Sequence, residues 1–249
     1  MGNRKLISIL VAIALVGASA RAQPPGMRGG PGLSPAIGKL FGVNTSFSTK
    51  ATVTMDSDGK TITMEMDLAM LDGKMRMETD LTKAKGIPPG GIESMKQMGM
   101  DIMVNIERPD KKVSLVVFPS MKAYSETPFD TARAKSEAGD FKIEKTTVGS
   151  ETIDGHPCKR CKLVISDGSG EKREAMAWYA MDLKDFPLQI VMNQDDATMK
   201  MRFTKIRLEK PDAKSFDAPA GFTKYGSQTE LMSKEMIKRR NQAQQQKEP

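Results

Sequence analysis

The sequence predicts an α+β fold: a strongly curled antiparallel sheet of about ten or eleven strands, a few short helices, and a helix at the C-terminal end. Three observations predict it. Four Met-x-Met pairs, Met64/Met66, Met75/Met77, Met98/Met100 and Met199/Met201, stand among 20 methionines; in a strand, residues two apart point to one face. Asp58-Gly59 and Asp72-Gly73 are type I′ hairpin signals. Short runs of strand-forming residues then recur at hairpin spacing as far as Glu209. That is more strands than a flat sheet comfortably holds, so strong curling is expected.

Residues 1–22 read as a secretory signal peptide. Arg4 and Lys5 form a basic start, Leu6 to Ala18 an apolar core, and Ala20-Arg21-Ala22 a small-x-small cleavage site. The apolar core is well short of the roughly 20 residues needed to span a bilayer. No second segment is long enough, so no transmembrane segment is expected after signal removal. The expected location is periplasmic or secreted. Residues 23–33 are a Pro/Gly linker expected to be disordered. Ser34-Pro35 then opens a helix, with Ser as cap and Pro at the first helical position. Ile37, Leu40 and Phe41 lie on one side of it, and Gly42 stops it.

The two Asp-Gly turns fix a register. With two-residue loops, Val53 opposes Met64, Met55 opposes Ile62, Leu68 opposes Met77 and Met70 opposes Met75. Met66 joins them, and all fall on one face. Thr52, Thr54, Thr61, Thr63, Glu65, Asp67, Arg76 and Glu78 fall on the other, which is expected to be wet. Pro88-Pro89-Gly90-Gly91 breaks the sheet, and Ile92, Met95 and Met98 recur at helical spacing up to Gly99. Further strands are expected at 101–108, 112–118, 121–125, 142–150, 157–166, 173–181, 186–193 and 198–209, with a weak helix over 127–138. Residues 34–226 form one domain. Residues 227–249 are a helix and polar tail, opened by the capping box Ser227-Gln-Thr-Glu230. The helix carries Leu231, Met232, Met236 and Ile237, with Lys234, Lys238, Arg239 and Arg240 expected to stay solvated.

Charge excludes little but narrows the partners. The formal +7 becomes +4 once Arg4, Lys5 and Arg21 leave with the signal. Aromatic residues make up 5% of the chain, and no basic stripe is interleaved with them, so nucleic-acid binding has little support and no nucleic-acid partner is expected.

Three segments carry a resemblance: Gly73-Lys-Met-Arg-Met77, Trp178-Tyr-Ala-Met-Asp-Leu-Lys-Asp-Phe-Pro-Leu-Gln-Ile190, and Phe216-Asp-Ala-Pro-Ala-Gly-Phe-Thr-Lys-Tyr225. Together they resemble a family of exported bacterial domains of unassigned function. That family is similar to the periplasmic lipoprotein-carrier superfamily with the LolA/LolB-like fold. The resemblance implies an unclosed half-barrel wrapped around helices that plug its concave side, and a cavity for acyl chains, lipoprotein or other apolar ligands.

The site candidates follow from the methionine face. Val53, Met55, Met64, Met66, Leu68, Met70, Met75 and Met77, with Trp178 as core or cavity wall, are the expected ligand-binding residues. Methionine is flexible and polarisable and suits a deformable lining for fatty tails. The same pattern also describes ordinary core beneath the plug helices. Thioethers are soft ligands for Cu(I), which gives a third reading. An envelope protein partner for a filled barrel is the alternative to a lipid or acyl ligand.

Catalytic apparatus is not evident, and an enzyme is not expected. His156-Pro-Cys-Lys-Arg-Cys161 holds the only histidine and both cysteines. Its ligand set is incomplete for structural zinc, and no Gly-x-Ser-x-Gly elbow exists. His156 reads as a solvated turn residue. Asp195-Asp196 and Asp56/Asp58 suit hydrated turns. In a regular strand Cys158 and Cys161 would face opposite ways, yet an exported chain with two cysteines favours pairing. A strained local disulfide and two separate thiols both stay open. No metal and no cofactor are expected.

Overall fold

The computed structural model describes residues 38–129, 142–166, 172–194 and 197–245. The signal peptide, the linker, Ser34–Ile37, most of the weak helix expected over 127–138, and Asp195-Asp196 lie outside the described residues. Twelve strands form one sheet: β1 (Ser46–Ser57), β2 (Lys60–Leu71), β3 (Lys74–Asp80), β4 (Ile102–Arg108), β5 (Val113–Phe118), β6 (Ala123–Pro128), β7 (Lys142–Ile153), β8 (His156–Ser166), β9 (Lys172–Ala180), β10 (Phe186–Gln194), β11 (Ala197–Arg207) and β12 (Thr223–Tyr225). Their order is β12-β6-β5-β4-β3-β2-β1-β11-β10-β9-β8-β7, so β12 and β7 are open ends. Two helices, α1 (Pro89–Met98) and α2 (Gln228–Gln245), complete the described fold with several 3₁₀ turns.

The hairpins form as the dipeptides require. Asp58 and Gly59 have φ of 50° and 71°, Asp72 and Gly73 48° and 85°, the paired positive φ of type I′ turns. The register follows: Val53 pairs with Met64, Met55 with Ile62, Leu68 with Met77 and Met70 with Met75. Asp154-Gly155 repeats the device between β7 and β8, with φ of 50° and 83°.

The count exceeds the expected ten or eleven strands because β12 adds three residues parallel to β6. The pair joins stretches about 100 residues apart in the chain, and no local signal announces it. Of the helix expected from Ser34 the described part is Gly38, which is helical, and a 3₁₀ turn at Lys39–Phe41 closed by Gly42. Thr127 and Pro128 belong to β6 and not to a helix. Helix α1 ends at Gly99 in the left-handed region, whose N–H reaches the Lys96 carbonyl at 2.9 Å while the Met100 N–H reaches that of Met95 at 2.8 Å.

Both faces of the sheet carry core. On the inner face Phe41, Phe47, Phe186 and Phe203 pack with ring centroids 4.7–5.9 Å apart. Further along the same face, Leu231 of α2 is buried with Met103, Phe118, Met121 and Ala123. The outer face departs from the wet surface expected of it. At β1 and β2 it is polar, but towards β4 and β5 Leu71, Val104, Ile106, Leu115 and Val117 enclose Phe216. Arg108 fastens that cover: it donates to the Phe216 carbonyl at 3.1 Å, pairs bidentately with Asp110, and pairs with Asp217. This is the structural role of the Phe216–Tyr225 segment.

Candidate functional site

Cross-strand rows define the inner face. One runs Met192, Met199, Met55, Ile62 across β10, β11, β1 and β2. The next runs Ile190, Met201, Val53, Met64. A third runs Phe47, Met70, Met75, Glu107 across β1 to β4. The structure therefore brings the expected residues onto one face. Val53, Leu68 and Met77 are buried in the main apolar cluster, while Met55, Met66, Met70 and Met75 pack against it half-buried. Met64 is buried but lies outside that cluster. Sequence reasoning left out Met192, Met199 and Met201, which the same cluster includes; the Met199-x-Met201 spacing was the signal.

Trp178 does not join them. It alternates with Ala177 and Tyr179 and packs with Ile153, Cys158, Ala180 and Leu188 in a separate cluster. Its indole N–H donates to the Glu151 carboxylate at 2.7 Å. The residue is removed from the proposed lining because strand alternation turns it to the other face. The cysteines also part. Cys161 lies in the main inner cluster and Cys158 in that of Trp178. Both are buried and free, and burial pushes the Cys158 thiol pKa up.

His156 directly follows the Asp154-Gly155 turn. It opens β8, and its Nδ1 lies 2.7 Å from the Asp182 carboxylate, with both side chains partly exposed. Among the described residues no group of three or more His, Cys, Asp or Glu could hold a metal ion. No helix among them is long and apolar enough to cross a membrane.

At the edge of the main cluster opens a cleft of about 620 Å³, within the roughly 300–1,000 Å³ of small-molecule sites. Leu40, Val43, Ile143 and Tyr179 give it apolar walls, and Lys39, Lys142, Lys145 and Lys184 give it charge. Leu40 and Tyr179 are members of the buried inner cluster, and Ile143 packs on it. Lys145 is exposed as a residue, yet its Nζ stands 3.2 Å from the centre of the Tyr179 ring. Desolvation there lowers its pKa, against the opposing pull of Cys161 and Asp185. Burial pushes the Tyr179 phenol up to about 12, helped by Cys161 and Asp185. Lys184 and Asp185 both have left-handed backbone, φ 54° and 51°, and the Asn44 amide holds the Lys184 carbonyl at 3.1 Å. Sequence reasoning missed this cleft, since its walls come from three distant stretches.

No curated protein matches the chain. Among solved structures it is similar to a LolA superfamily protein from Nitrosomonas europaea, at 12% identity and TM-score 0.37, covering 73% of this chain and 94% of that one. Lipoprotein LppX from Mycobacterium tuberculosis is similar at 12% identity and TM-score 0.40, with 69% and 91% covered. LprF from Mycobacterium bovis is similar at 10% identity and TM-score 0.35, with 72% and 94% covered. A family model matches residues 50–185, which include Gly73–Met77 and the stretch from Trp178 to Asp185. This chain belongs to the family described as Domain of unknown function (DUF4412).

Proposed function

We propose that this chain is an exported binding protein that holds an apolar ligand, a lipid or an acyl chain, against the methionine-lined inner face of its sheet, without catalysis. One observation carries the reading. In strand order, the half-buried methionines of β2 and β3 stand between two plugs: the phenylalanine cluster on β1, β10 and β11, and the Leu231 cluster under α2. Both plugs are tightly buried, whereas Met66, Met70 and Met75 keep part of their surface accessible. An accessible row of thioethers repacks around ligands of different shape at little cost. Binding would follow from apolar area removed from water, at about 25 cal/mol per Å². The signal peptide read at residues 1–22 would place the protein in a periplasm or outside the cell.

A second reading, an envelope interaction module whose hollow is filled by its own side chains, is favoured by the three phenylalanines around Phe41. Protein purified under native conditions should carry extractable lipid, visible by native mass spectrometry, and should bind a fluorescent fatty acid. Absence of both, with a partner recovered from envelope extract, would favour the module instead.

A further inference from the structure

We propose that the lysine-walled cleft is a headgroup site, which makes the ligand an anionic single-chain amphiphile whose carboxylate or phosphate oxygens meet Lys145 while its chain follows Leu40 and Ile143 onto the inner face. The inference rests on the apolar-ligand reading and narrows it to a charged class.

Four lysines line the cleft against one acid, Asp185. That acid is already engaged, with Lys159 at 3.2 Å. Lys142, Lys145 and Lys184 make no ion pair among the described residues. Other surface lysines of this chain do find carboxylates, among them Lys50 with Asp67, Lys162 with Glu174 and Lys224 with Glu126. Lys145 and Lys184 thus bring positive charge to the cleft without an ion pair among the described residues, where ion pairs are common elsewhere on the sheet. An ammonium set against an aromatic ring and short of water gains more from an incoming oxyanion than a fully hydrated one does. Lys145 on Tyr179 has that setting.

The apolar half of the cleft gives the second term. Leu40 and Tyr179 are 5% and 4% exposed and belong to the core that also holds Val53, Leu68 and Met77. Val43, at 79% exposed, stands at the cleft wall. A small hydrated anion would have no use for these walls. A neutral lipid would have no use for the lysines. Charge at one end and core at the other fit a molecule that carries both.

The full chain is titrated with palmitate, with methyl palmitate, and with inorganic phosphate. Palmitate should bind at least about tenfold tighter than its ester. Lys145→Gln combined with Lys184→Gln should bring palmitate to the level of the ester and leave the ester unchanged. Lys184→Gln, on an exposed turn, gives the same loss of discrimination in smaller measure if the double variant does not fold. Equal binding of acid and ester by the parent chain would overturn the headgroup site while the apolar-ligand reading stands. Phosphate that binds alone and displaces palmitate would make it a free-anion site and overturn the amphiphile. No binding of palmitate or ester would remove the apolar-ligand reading itself, and this inference with it.

Discussion

Asn44 ties the 3₁₀ turn at Phe41 to the loop at Lys184, 140 residues further along the chain. Its buried side-chain amide donates to the carbonyl of Phe41 at 3.0 Å and to that of Lys184 at 3.1 Å. Asn44→Ala removes both side-chain bonds of a buried amide, while the Phe41 carbonyl keeps the backbone N–H of residue 44 at 3.1 Å. The expected cost is about 1–3 kcal/mol. Asn44→Asp should cost more, because it sets a carboxylate against two acceptors. Urea unfolding of the three proteins checks the order, and a ranking with Asp above Ala would contradict it.

The methionine rows make a sharper test of the proposed function. Met70 and Met75 face each other across β2 and β3 and are only half-buried. Glutamine at both positions keeps the length and removes the apolar character. Binding of a fluorescent fatty acid should weaken by about tenfold or more, while the unfolding midpoint moves little. Met70→Leu with Met75→Leu should bind nearly as well as the parent for one ligand and tolerate fewer chain shapes, since branched leucine repacks less freely than methionine. Unchanged affinity in the glutamine pair would show that the inner face is not the site.

The hairpins and the methionine face were legible in the sequence because both are local. Asp58-Gly59 and Asp72-Gly73 fix the turns, and turn plus alternation fix which side chains share a face. Pairs made across long stretches of chain were not legible. Nothing near Thr223 says that it will add to β6, and nothing near Arg108 says that Asp217 will return to it. The lysine cleft fails for the same reason: its residues come from 39–43, 142–145 and 179–185. Trp178 shows a different limit. Alternation gave its parity relative to Tyr179, but only the neighbouring strands reveal which parity faces inward.

Acid stability should report on the Arg108 clamp. The Arg108 guanidinium beside Asp110 holds that carboxyl down at about 2, and Lys111 with Arg108 lowers Asp217. An unfolded aspartate titrates near about 3.9. The contribution is therefore fully present above about pH 4 and lost as pH falls towards about 2. Asp110→Asn should be less stable than the parent at neutral pH, with the difference closing through that window. Urea midpoints measured from pH 7 to pH 2 would refute this if the gap stayed constant.

The cysteines give a prediction that composition alone would miss. An exported chain with two cysteines three apart invites a disulfide, but Cys158 and Cys161 lie in different clusters on opposite faces of β8. Bonding them would require β8 to give up its regular pairing with β7 and β9 at those residues. Protein denatured without reductant should therefore yield two titratable thiols. Folded protein should react slowly with a thiol reagent, since both sulfurs are buried. A single disulfide in the peptide map would contradict the strand geometry.

Gly99 and Arg239 should prove energetically coupled. Gly99 ends α1 at φ 74°, and a Cβ there would lie 2.3 Å from Arg239 Nη2. That guanidinium donates to the carbonyls of Gln97 at 3.1 Å and Ser120 at 2.9 Å. It joins α2 to the end of α1 and to the turn before β6, so Arg239 is a clamp and not the solvated tail charge expected of it. Gly99→Ala carries two costs: a left-handed backbone for an L residue, about 1 kcal/mol or more, and displacement of the guanidinium from its two carbonyls, about 1.5–3 kcal/mol for charged hydrogen bonds. Arg239→Ala incurs only the second. Once the arginine is gone, the glycine substitution should cost only the backbone term. The double variant should therefore be more stable than the sum of the single losses implies, by about the worth of the clamp. Additive losses in a urea double-mutant cycle would show that the guanidinium can move aside and keep its bonds.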